Sequence, residues 1–503
     1  MKDNSYAGVE DLKRRLWSCA DLLRGTAVDR TDWKAYILPL VFYKRICDVW
    51  DEENREAQEL YGDVDSEQFE EMHRFVIPKG CHWNDVRSIS SDVGEAIAKS
   101  MREIERANPE RLFRVFGSVD WGNKEILSDE ILKDLLEEFA TVPLGNDELS
   151  SDILGDAYEY LVGEFADVTR RKKAGEFYTP RSVIKLMVEI LDPQEGETIY
   201  DPACGTGGML LAAIDHVERN GGDPRTFYGN IFGQEKNLNT SAIARMNLVL
   251  HGVEDFDIAR EDTLRSPAFT DSSNSLATFD CVIANPPFSL KEWGREEWES
   301  DPWGRNRFGV PPNGNGDYAW LQHMIASMNT TTGRLAVVLP NGALIRSRAE
   351  GNIRRQLIQT DLIETVISLV DNLFYGTNIP ASILILKADK KADRRGKILM
   401  INAEDLFRSG RAKNFFDPEH IQQVAALEKD FKTIPYRTKV IDTDELEENE
   451  WSLNPLLYVE APINESMVPF DEAHADFEAV IEAVGQTHDR LLTTLDRAGL
   501  IND

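Results

Sequence analysis

The sequence predicts an α/β domain with a mostly parallel sheet, preceded by an α-helical domain and followed by a C-terminal helical region. Three observations predict this order. Apolar residues recur at helical spacing in the first part of the chain, short apolar runs alternate with helical patterns from residue 182, and a heptad-like apolar pattern lies near the end. We therefore expect three domains, at residues 1–150, 151–420 and 421–503.

The N-terminal region is predicted to form a helical bundle without chemistry of its own. Residues 126–139 form an amphipathic pattern, and residues 36–49 carry another apolar face. The first helix is predicted from four apolar residues at helical spacing, Leu12, Leu16, Ala20 and Leu23.

Composition excludes several classes of protein. The chain has 503 residues, and 88 acidic against 56 basic residues give a net charge of −32. Such a chain is repelled by nucleic acid and by anionic membranes unless a local patch or a basic partner offsets the field. No secretory signal begins the sequence and no run approaches the length of a membrane span, so we expect a cytoplasmic protein.

The cysteines and histidines do not predict a metal site. Five cysteines are dispersed and never form a C-x-x-C pair, which is typical of a reduced compartment. Cys81, His82 and His73 are near each other in sequence but lack a fourth ligand. We therefore expect no metal.

The middle of the chain alternates predicted strands with helices. Helices are predicted to end near residues 220 and 251, and another is predicted at 318–328. The predicted strands are 198–200, 227–232, 256–259, 279–284, 334–339, 366–369 and 382–386. Strand–helix alternation of this length favours a mostly parallel sheet, whose ligands bind at the carboxyl ends of the strands.

Polar segments after the first three strands predict a pocket for S-adenosylmethionine. Gly205 and Gly207 allow a tight turn after the first strand, no phosphate-binding Gly-Lys-Ser/Thr follows, and the carboxylate of Asp201 suits a cationic amino-acid end. Glu235 would accept bonds from ribose hydroxyls, and Asp262 from an adenine amino group.

The fourth strand is followed by Asn285-Pro286-Pro287-Phe288, which predicts methyl transfer to an exocyclic amine. The lone pair of such an amine is delocalised into its ring. The Asn285 side-chain oxygen and the Pro286 carbonyl can each accept one amino hydrogen and so free the lone pair for attack. Phe288 offers a face on which a base would stack, and a base in a duplex must be flipped out to reach it.

With these motifs, the sequence resembles the modification (M) subunit of type I restriction–modification systems, a family of N6-adenine DNA methyltransferases. The resemblance covers most of the chain and includes residues 175–180, 317–323, 338–342 and 372–377. It implies a Rossmann-like S-adenosylmethionine-dependent methyltransferase domain, with Asn285, Pro286 and Phe288 acting on the adenine. It implies that the cofactor is bound by Tyr178, Thr179, Asp201, Gly205, Thr206, Gly207, Glu235 and Asp262.

The family also implies partners. Target recognition resides in a separate specificity (S) subunit, two M subunits usually join one S subunit, and a restriction (R) subunit can be added. The final helix carries a heptad-like seam that is a candidate for S docking, although an ordinary helix packed on its own core is the alternative. The seam consists of Phe477, Ile481, Val484, His488, Leu491 and Leu495. The acidic residues 442–450 before it are predicted to form a solvated loop or linker.

This sequence departs from its relatives in two places. Lys236 stands where an apolar residue often faces the cofactor adenine, and residues 344–348 replace a Gly-rich stretch. Two basic clusters are candidates for DNA phosphate contact, residues 170–173 and the group Arg346, Arg348, Arg354 and Arg355.

Two other functions remain open from sequence. A protein-glutamine N5-methyltransferase uses a similar motif, although that family more often carries Tyr after Asn-Pro-Pro and lacks the long helical front. A methyltransferase-fold subunit that only binds cofactor or serves as a scaffold is the non-enzymatic alternative, against which the intact Asn285–Phe288 motif argues.

Overall fold

The computed structural model describes residues 4–30, 32–62, 73–109, 111–146, 179–253, 255–374, 379–410, 414–460 and 470–497. Contacts divide the chain into two units, Met1–Val459 and Glu460–Asp503, which are described separately. No helix within the described ranges is long and apolar enough to cross a membrane.

The N-terminal region is helical, as predicted. Its described helices are α1 (Asn4–Leu23), α2 (Trp33–Tyr61), α3 (Trp83–Arg87), α4 (Val93–Ala107) and α5 (Asp129–Ala140). Helix α5 begins where the side chain of Ser128 accepts a bond from the backbone N–H of Ile131, and two acidic residues in its first turn favour that end electrostatically. The predicted apolar face of α1 is confirmed, because Leu12, Leu16, Ala20 and Leu23 are buried.

Helix α8 joins the two parts of the large unit. It spans Leu238–Leu250, between strands of the sheet, yet Ile243, Met246 and Leu250 belong to the same buried cluster as the N-terminal helices. The N-terminal bundle therefore packs directly on the domain that carries the sheet.

The sheet has nine described strands in the order β3-β2-β1-β4-β5-β7-β6-β8-β9. The strands are β1 (Ile199–Asp201), β2 (Ile231–Gln234), β3 (Asp257–Ala259), β4 (Cys281–Ala284), β5 (Arg334–Pro340), β6 (Ile363–Leu369), β7 (Ala381–Lys387), β8 (Lys397–Ala403) and β9 (Thr438–Asp442). Strands β1 to β5 run parallel to one another, and β7 is antiparallel between β5 and β6. The expected mostly parallel α/β sheet is confirmed.

Helices cover the sheet and alternate with its first strands. Apart from α8, the described helices of this part are α6 (Arg181–Leu191), α7 (Gly208–Arg219), α9 (Arg295–Trp298), α10 (Asp317–Ala326), α11 (Asn341–Ile345), α12 (Ala349–Ile358), α13 (Pro418–Asp430) and α14 (Thr443–Glu448). Strands β4 to β7 are almost wholly buried, as expected for strands covered on both faces.

Three sequence predictions need correction here. Strand β2 begins only at Ile231, because Pro224–Phe227 forms a 3₁₀ turn and Gly229 adopts a left-handed conformation. Residues from 421 onward do not form only helices, since β9 pairs with β8. The acidic run is not a linker: it begins at the end of β9 and continues through α14.

The reason for the third correction is helix capping. The Asp442 side chain accepts bonds from the backbone N–H groups of Asp444 and Glu445, both at 3.1 Å. Acidic residues in a first turn complement the positive end of the helix, and Leu446 is buried beneath it.

The second unit contains one long helix, α15 (Phe470–Arg497). The helix is confirmed, and four residues of the predicted seam, Phe477, Ile481, Val484 and Leu491, are between 54% and 63% exposed. This helix therefore presents an apolar row to its surroundings.

Candidate active site

The loop after β1 is shaped by its glycines and by a buried carboxylate. Gly205 and Gly207 have φ of 52° and 83°, a left-handed conformation that other residues rarely adopt, and a side chain on Gly205 would meet open space. Conformation, rather than crowding, therefore requires glycine at 205. Thr206 follows within this loop, and its carbonyl accepts a bond from the Asn247 side chain of α8.

Asp201 lies at the end of β1 and is only 2% exposed. One carboxylate oxygen accepts the backbone N–H of Ala203 at 3.0 Å. The pKa of Asp201 is raised to about 8, mainly by burial; the hydrogen bond from the Ala203 N–H lowers this pKa, and the nearby charge of Glu235 raises it. At neutral pH this buried carboxyl therefore holds its proton, and it becomes a partner for a cation when it ionises.

Strands β2 and β3 bring the other predicted cofactor residues to the same edge. Asp201 pairs in register with Gly233 and Gln234 pairs with Ala259, so Glu235 and Asp262 follow at the same ends of their strands. The Glu235 side chain is half-buried and accepts the backbone N–H of Asn237 at 2.7 Å.

The Asp262 carboxylate has two sets of contacts. One oxygen lies 2.8 Å from the Lys236 ammonium and the other accepts the backbone N–H of Leu264 at 3.2 Å. Lys236 is exposed, so its flexible side chain can leave this position at low cost. The lysine thus stands beside the predicted adenine contact, where the sequence analysis noted a departure from related chains.

Asn285 is the first residue after β4, and its amide is held in one orientation. Its Nδ2 donates to Thr179 Oγ1 at 2.8 Å. Its Oδ1 is buried and no donor among the described residues reaches it. A buried acceptor without a donor is costly unless something else supplies one, so this atom is poised for a ligand.

Pro286 and Phe288 are both buried, and the Phe288 ring meets that of Phe374 edge-on at 6.0 Å between centroids. The structure therefore brings Thr179, Asn285 and Phe288 to the end of β4, and Asp201, Glu235 and Asp262 to the ends of β1, β2 and β3 at the same edge of the sheet. Tyr178 lies outside the described residues, as do the basic residues 170–173.

Several residues that support this edge escaped the sequence analysis. Arg305, 1% exposed, pairs with Asp301 and donates to the carbonyls of Thr263 and Leu264 at 3.0 and 2.9 Å, which fixes the segment after Asp262. Gly233 allows close packing, because a Cβ there would lie 2.6 Å from Ile258. Of these two features, only the close packing at Gly233 could have been predicted from the sequence, because a glycine within a short strand is typical of such a contact.

The two histidines that lie near Cys81 in the sequence have structural contacts of their own. His82 caps α3 and lies 3.2 Å from Asp51, while His73 stacks on Trp50. Across the part of the chain that the structure describes, no group of three or more His, Cys, Asp or Glu residues could hold a metal ion.

Comparisons with known proteins match this architecture over most of the chain. The family model for N-6 DNA methylase matches residues 149–466, and that for the HsdM N-terminal domain matches residues 12–139. The type I restriction enzyme HindI methylase subunit of Haemophilus influenzae is 31% identical over 424 residues, which cover 81% of this chain and 90% of the relative. The chain belongs to the methylase subunits of type I restriction–modification enzymes.

Other relatives of this methylase subunit agree. The MjaIX methylase subunit of Methanocaldococcus jannaschii is 29% identical over 513 residues, covering 96% of this chain and 89% of the relative. A solved type I restriction-modification methyltransferase subunit from Streptococcus thermophilus has a TM-score of 0.77 at 30% identity, covering 90% of this chain and 100% of that one. The suspected resemblance to M subunits is confirmed, and the chain is a DNA methyltransferase subunit.

In this methylase subunit, the four arginines of the second predicted basic cluster lie in different environments. Arg354 is 1% exposed and donates to the carbonyls of Ala343, Arg346 and Trp451, so it cannot meet a phosphate. Arg346 is turned toward Asp317 and Glu350, and Arg355 lies over the Trp451 ring. Arg348 is exposed.

Proposed function

We propose that this methylase subunit transfers a methyl group from S-adenosylmethionine to N6 of an adenine flipped out of DNA. The observation that carries the proposal is the Asn285 amide, whose nitrogen is held by Thr179 while its buried oxygen has no donor among the described residues. An amino group with two hydrogens supplies the missing donor.

The residues of the Asn285–Phe288 loop would activate and hold the base. Asn285 Oδ1 and the Pro286 carbonyl accept the two amino hydrogens, which localises the lone pair on nitrogen. Phe288 contributes an aromatic surface against the base. The nitrogen lone pair forms the new bond to the methyl carbon as the carbon–sulfur bond breaks, and the resulting ammonium loses a proton to water, so no general base is assigned.

The residues at the ends of β1, β2 and β3 fit S-adenosylmethionine, which when bound supplies an electrophilic methyl group on a sulfonium. Asp201 would bind the cationic amino group, and the conformation of Gly205, Thr206 and Gly207 lets the backbone approach the ligand. Glu235 would accept the ribose hydroxyls and Asp262 the adenine amino group, once Lys236 moves aside. Tyr178 and Thr179 would line the methionine end.

The partners belong to the same proposal. A specificity subunit would choose the DNA site, two copies of this chain would join one such subunit, and a restriction subunit would complete the assembly where one is present. The exposed row of α15 would dock the specificity subunit. Because the chain carries a net charge of −32, that partner would also supply much of the positive charge that DNA binding requires. The assembly would work in the cytoplasm.

The proposal is tested by transfer of a tritiated methyl group to DNA, with the chain alone and with its specificity subunit, followed by identification of the modified base. We expect N6-methyladenine from the complex and none from Asn285→Ala. Asn84→Ala, at an exposed position on α3, is the matched control and should keep activity.

Each contrary outcome has a meaning. Full activity of Asn285→Ala would refute its catalytic role. Absence of transfer with cofactor still bound would favour the scaffold alternative. Labelled protein instead of labelled DNA would favour glutamine methylation, against which the match to DNA methylases already argues.

A further inference from the structure

We infer that Asp317 is a positioning residue for methyl transfer, holding the exit of the Asn285–Phe288 loop, and that Arg346 holds Asp317 in place. The inference rests on the proposed function of that loop.

The loop is fixed at its entrance and needs a second fixed point at its exit. At the entrance, β4 pairs in register with β5 as far as Ala284 and Val337. At the exit, Ser289 adopts φ of 49°, a left-handed conformation that is unfavourable for a residue with a side chain. Such a conformation persists only when neighbouring groups hold it.

Asp317 supplies this support. One of its carboxylate oxygens accepts the backbone N–H of Ser289 at 2.7 Å. A second link joins the same two segments, because the N–H of Gly316 donates to the Leu290 carbonyl at 3.0 Å. Asp317 is 1% exposed and stands at the start of α10, so its carboxylate belongs to a rigid element rather than to a loop.

Arg346 fixes the other side of the carboxylate. Its Nη2 lies 2.5 Å from the second Asp317 oxygen, and its Nε lies 2.7 Å from Glu350, which is 3% exposed. Arg354 in turn donates to the Arg346 carbonyl at 3.0 Å. Contacts therefore connect the buried side chains of α12 to Arg346, Arg346 to Asp317, and Asp317 to Ser289, the residue that follows Phe288.

The consequence concerns the position of the base rather than binding of the cofactor. Asp317 contacts the segment after Phe288, whereas the predicted cofactor residues follow β1, β2 and β3. Loss of the carboxylate should let Phe288 and the Pro286 carbonyl shift relative to Asn285. A small misplacement of groups that orient a nucleophile lowers the rate of the chemical step.

The test uses the complex of this chain with its specificity subunit. Asp317→Ala should lower kcat for DNA methylation by 100-fold or more. Asp317→Asn keeps an acceptor for the Ser289 N–H, so its kcat should be at least tenfold higher than that of Asp317→Ala. Arg346→Gln should lower kcat by about tenfold. The KM for S-adenosylmethionine should stay within twofold of wild type in all three.

Arg394→Gln is the matched control. Arg394 is, like Arg346, ion-paired with a glutamate, but it lies between β7 and β8 in the chain, and its partner Glu364 is in β6, which β5 and β7 separate from β4 in the sheet. We expect it to lower the melting temperature as Arg346→Gln does while leaving kcat unchanged. Equal losses of kcat in both arginine variants would overturn the positioning role and leave only a structural one.

The remaining outcomes separate this inference from the proposed function. If wild type methylates adenine, Asn285→Ala is inactive and Asp317→Ala is as active as wild type, the inference alone is overturned. If the wild-type complex methylates no adenine, the proposed function fails and the inference fails with it.

Discussion

We predict that the affinity for S-adenosylmethionine depends on pH through Asp201. Burial raises its pKa to about 8, so the carboxyl is protonated at neutral pH before the cofactor binds. A cationic amino group placed beside it would favour the ionised form. Binding should therefore release a proton, and the affinity for S-adenosylmethionine should rise with pH as the carboxyl ionises.

The size of the effect follows from the pKa. With a pKa of about 8, roughly 1% of Asp201 is ionised at pH 6.0 and roughly 24% at pH 7.5. If only the ionised form binds the cation well, the association constant rises roughly 20-fold over this range, or about 1.8 kcal/mol. The range ends at pH 7.5 because an α-amino group itself loses its proton at about pH 7.7 to 8.0.

Isothermal titration calorimetry measures both parts of this prediction. The dissociation constant of S-adenosylmethionine is determined in half-unit steps between pH 6.0 and 7.5, and repeating each titration in buffers of different ionisation enthalpy gives the number of protons released. We expect close to one proton per site near pH 6.5. Asp201→Asn, which cannot ionise, should bind with an affinity that does not change over the same range.

Two results would refute this reasoning. A wild-type affinity that is constant between pH 6.0 and 7.5 would show that Asp201 is already ionised or does not face the cation. A slope that persists in Asp201→Asn would assign the proton to another group.

Four further predictions concern stability, assembly and DNA. Gly233→Ala should destabilise the chain by about 1 to 3 kcal/mol in chemical denaturation, because its Cβ would lie 2.6 Å from Ile258, whereas Gly314→Ala, with nothing within 4 Å, should not. Burial raises the pKa of Glu350 to about 7, so Glu350 should lower the free energy of unfolding by at most about 3 kcal/mol as pH rises from 4.5 to 7; Glu350→Gln should remove this contribution, while the fall that the raised pKa of Asp201 causes persists. Replacing Ile481 and Val484 together with Asp should abolish co-purification with the specificity subunit; replacing the exposed Asp489 with Asn should not, and normal assembly of the double variant would contradict docking through α15. In gel-shift or anisotropy assays at physiological salt the isolated chain should bind DNA poorly, and tight binding would show that its net charge of −32 is offset locally.

The strand ends of the site could be predicted because their signals are local. An apolar run followed by a polar or glycine-rich segment marks where a buried strand stops: Asp201 is the last residue of β1, and Glu235 and Asn285 directly follow β2 and β4. Parallel neighbours then place such residues at one edge of the sheet. The chemistry of each side chain could be reasoned from its type and place alone.

The supporting contacts could not be predicted, because they join segments that are distant in sequence. Asp317 meets Ser289 across 28 residues, and Arg334 donates to Leu191 across 143. Strands β8 and β9 were missed for a similar reason: β8 pairs with β6 across the intervening β7, and β9 pairs with β8 across the intervening α13. The acidic helix α14 did have a local signal in the sequence, the capping residue Asp442, but the run of acidic residues favoured a solvated loop instead.

The order of the sheet also determines how this protein can join other chains. Its two described edge strands are short, with three residues in β3 and five in β9, and β9 carries Lys439 as its second residue. Short and charged edges offer few unpaired backbone groups to a strand from another molecule, which protects against runaway edge-to-edge association. We therefore expect a subunit with such edges to contact other chains through side chains and helices rather than through strands added to its sheet.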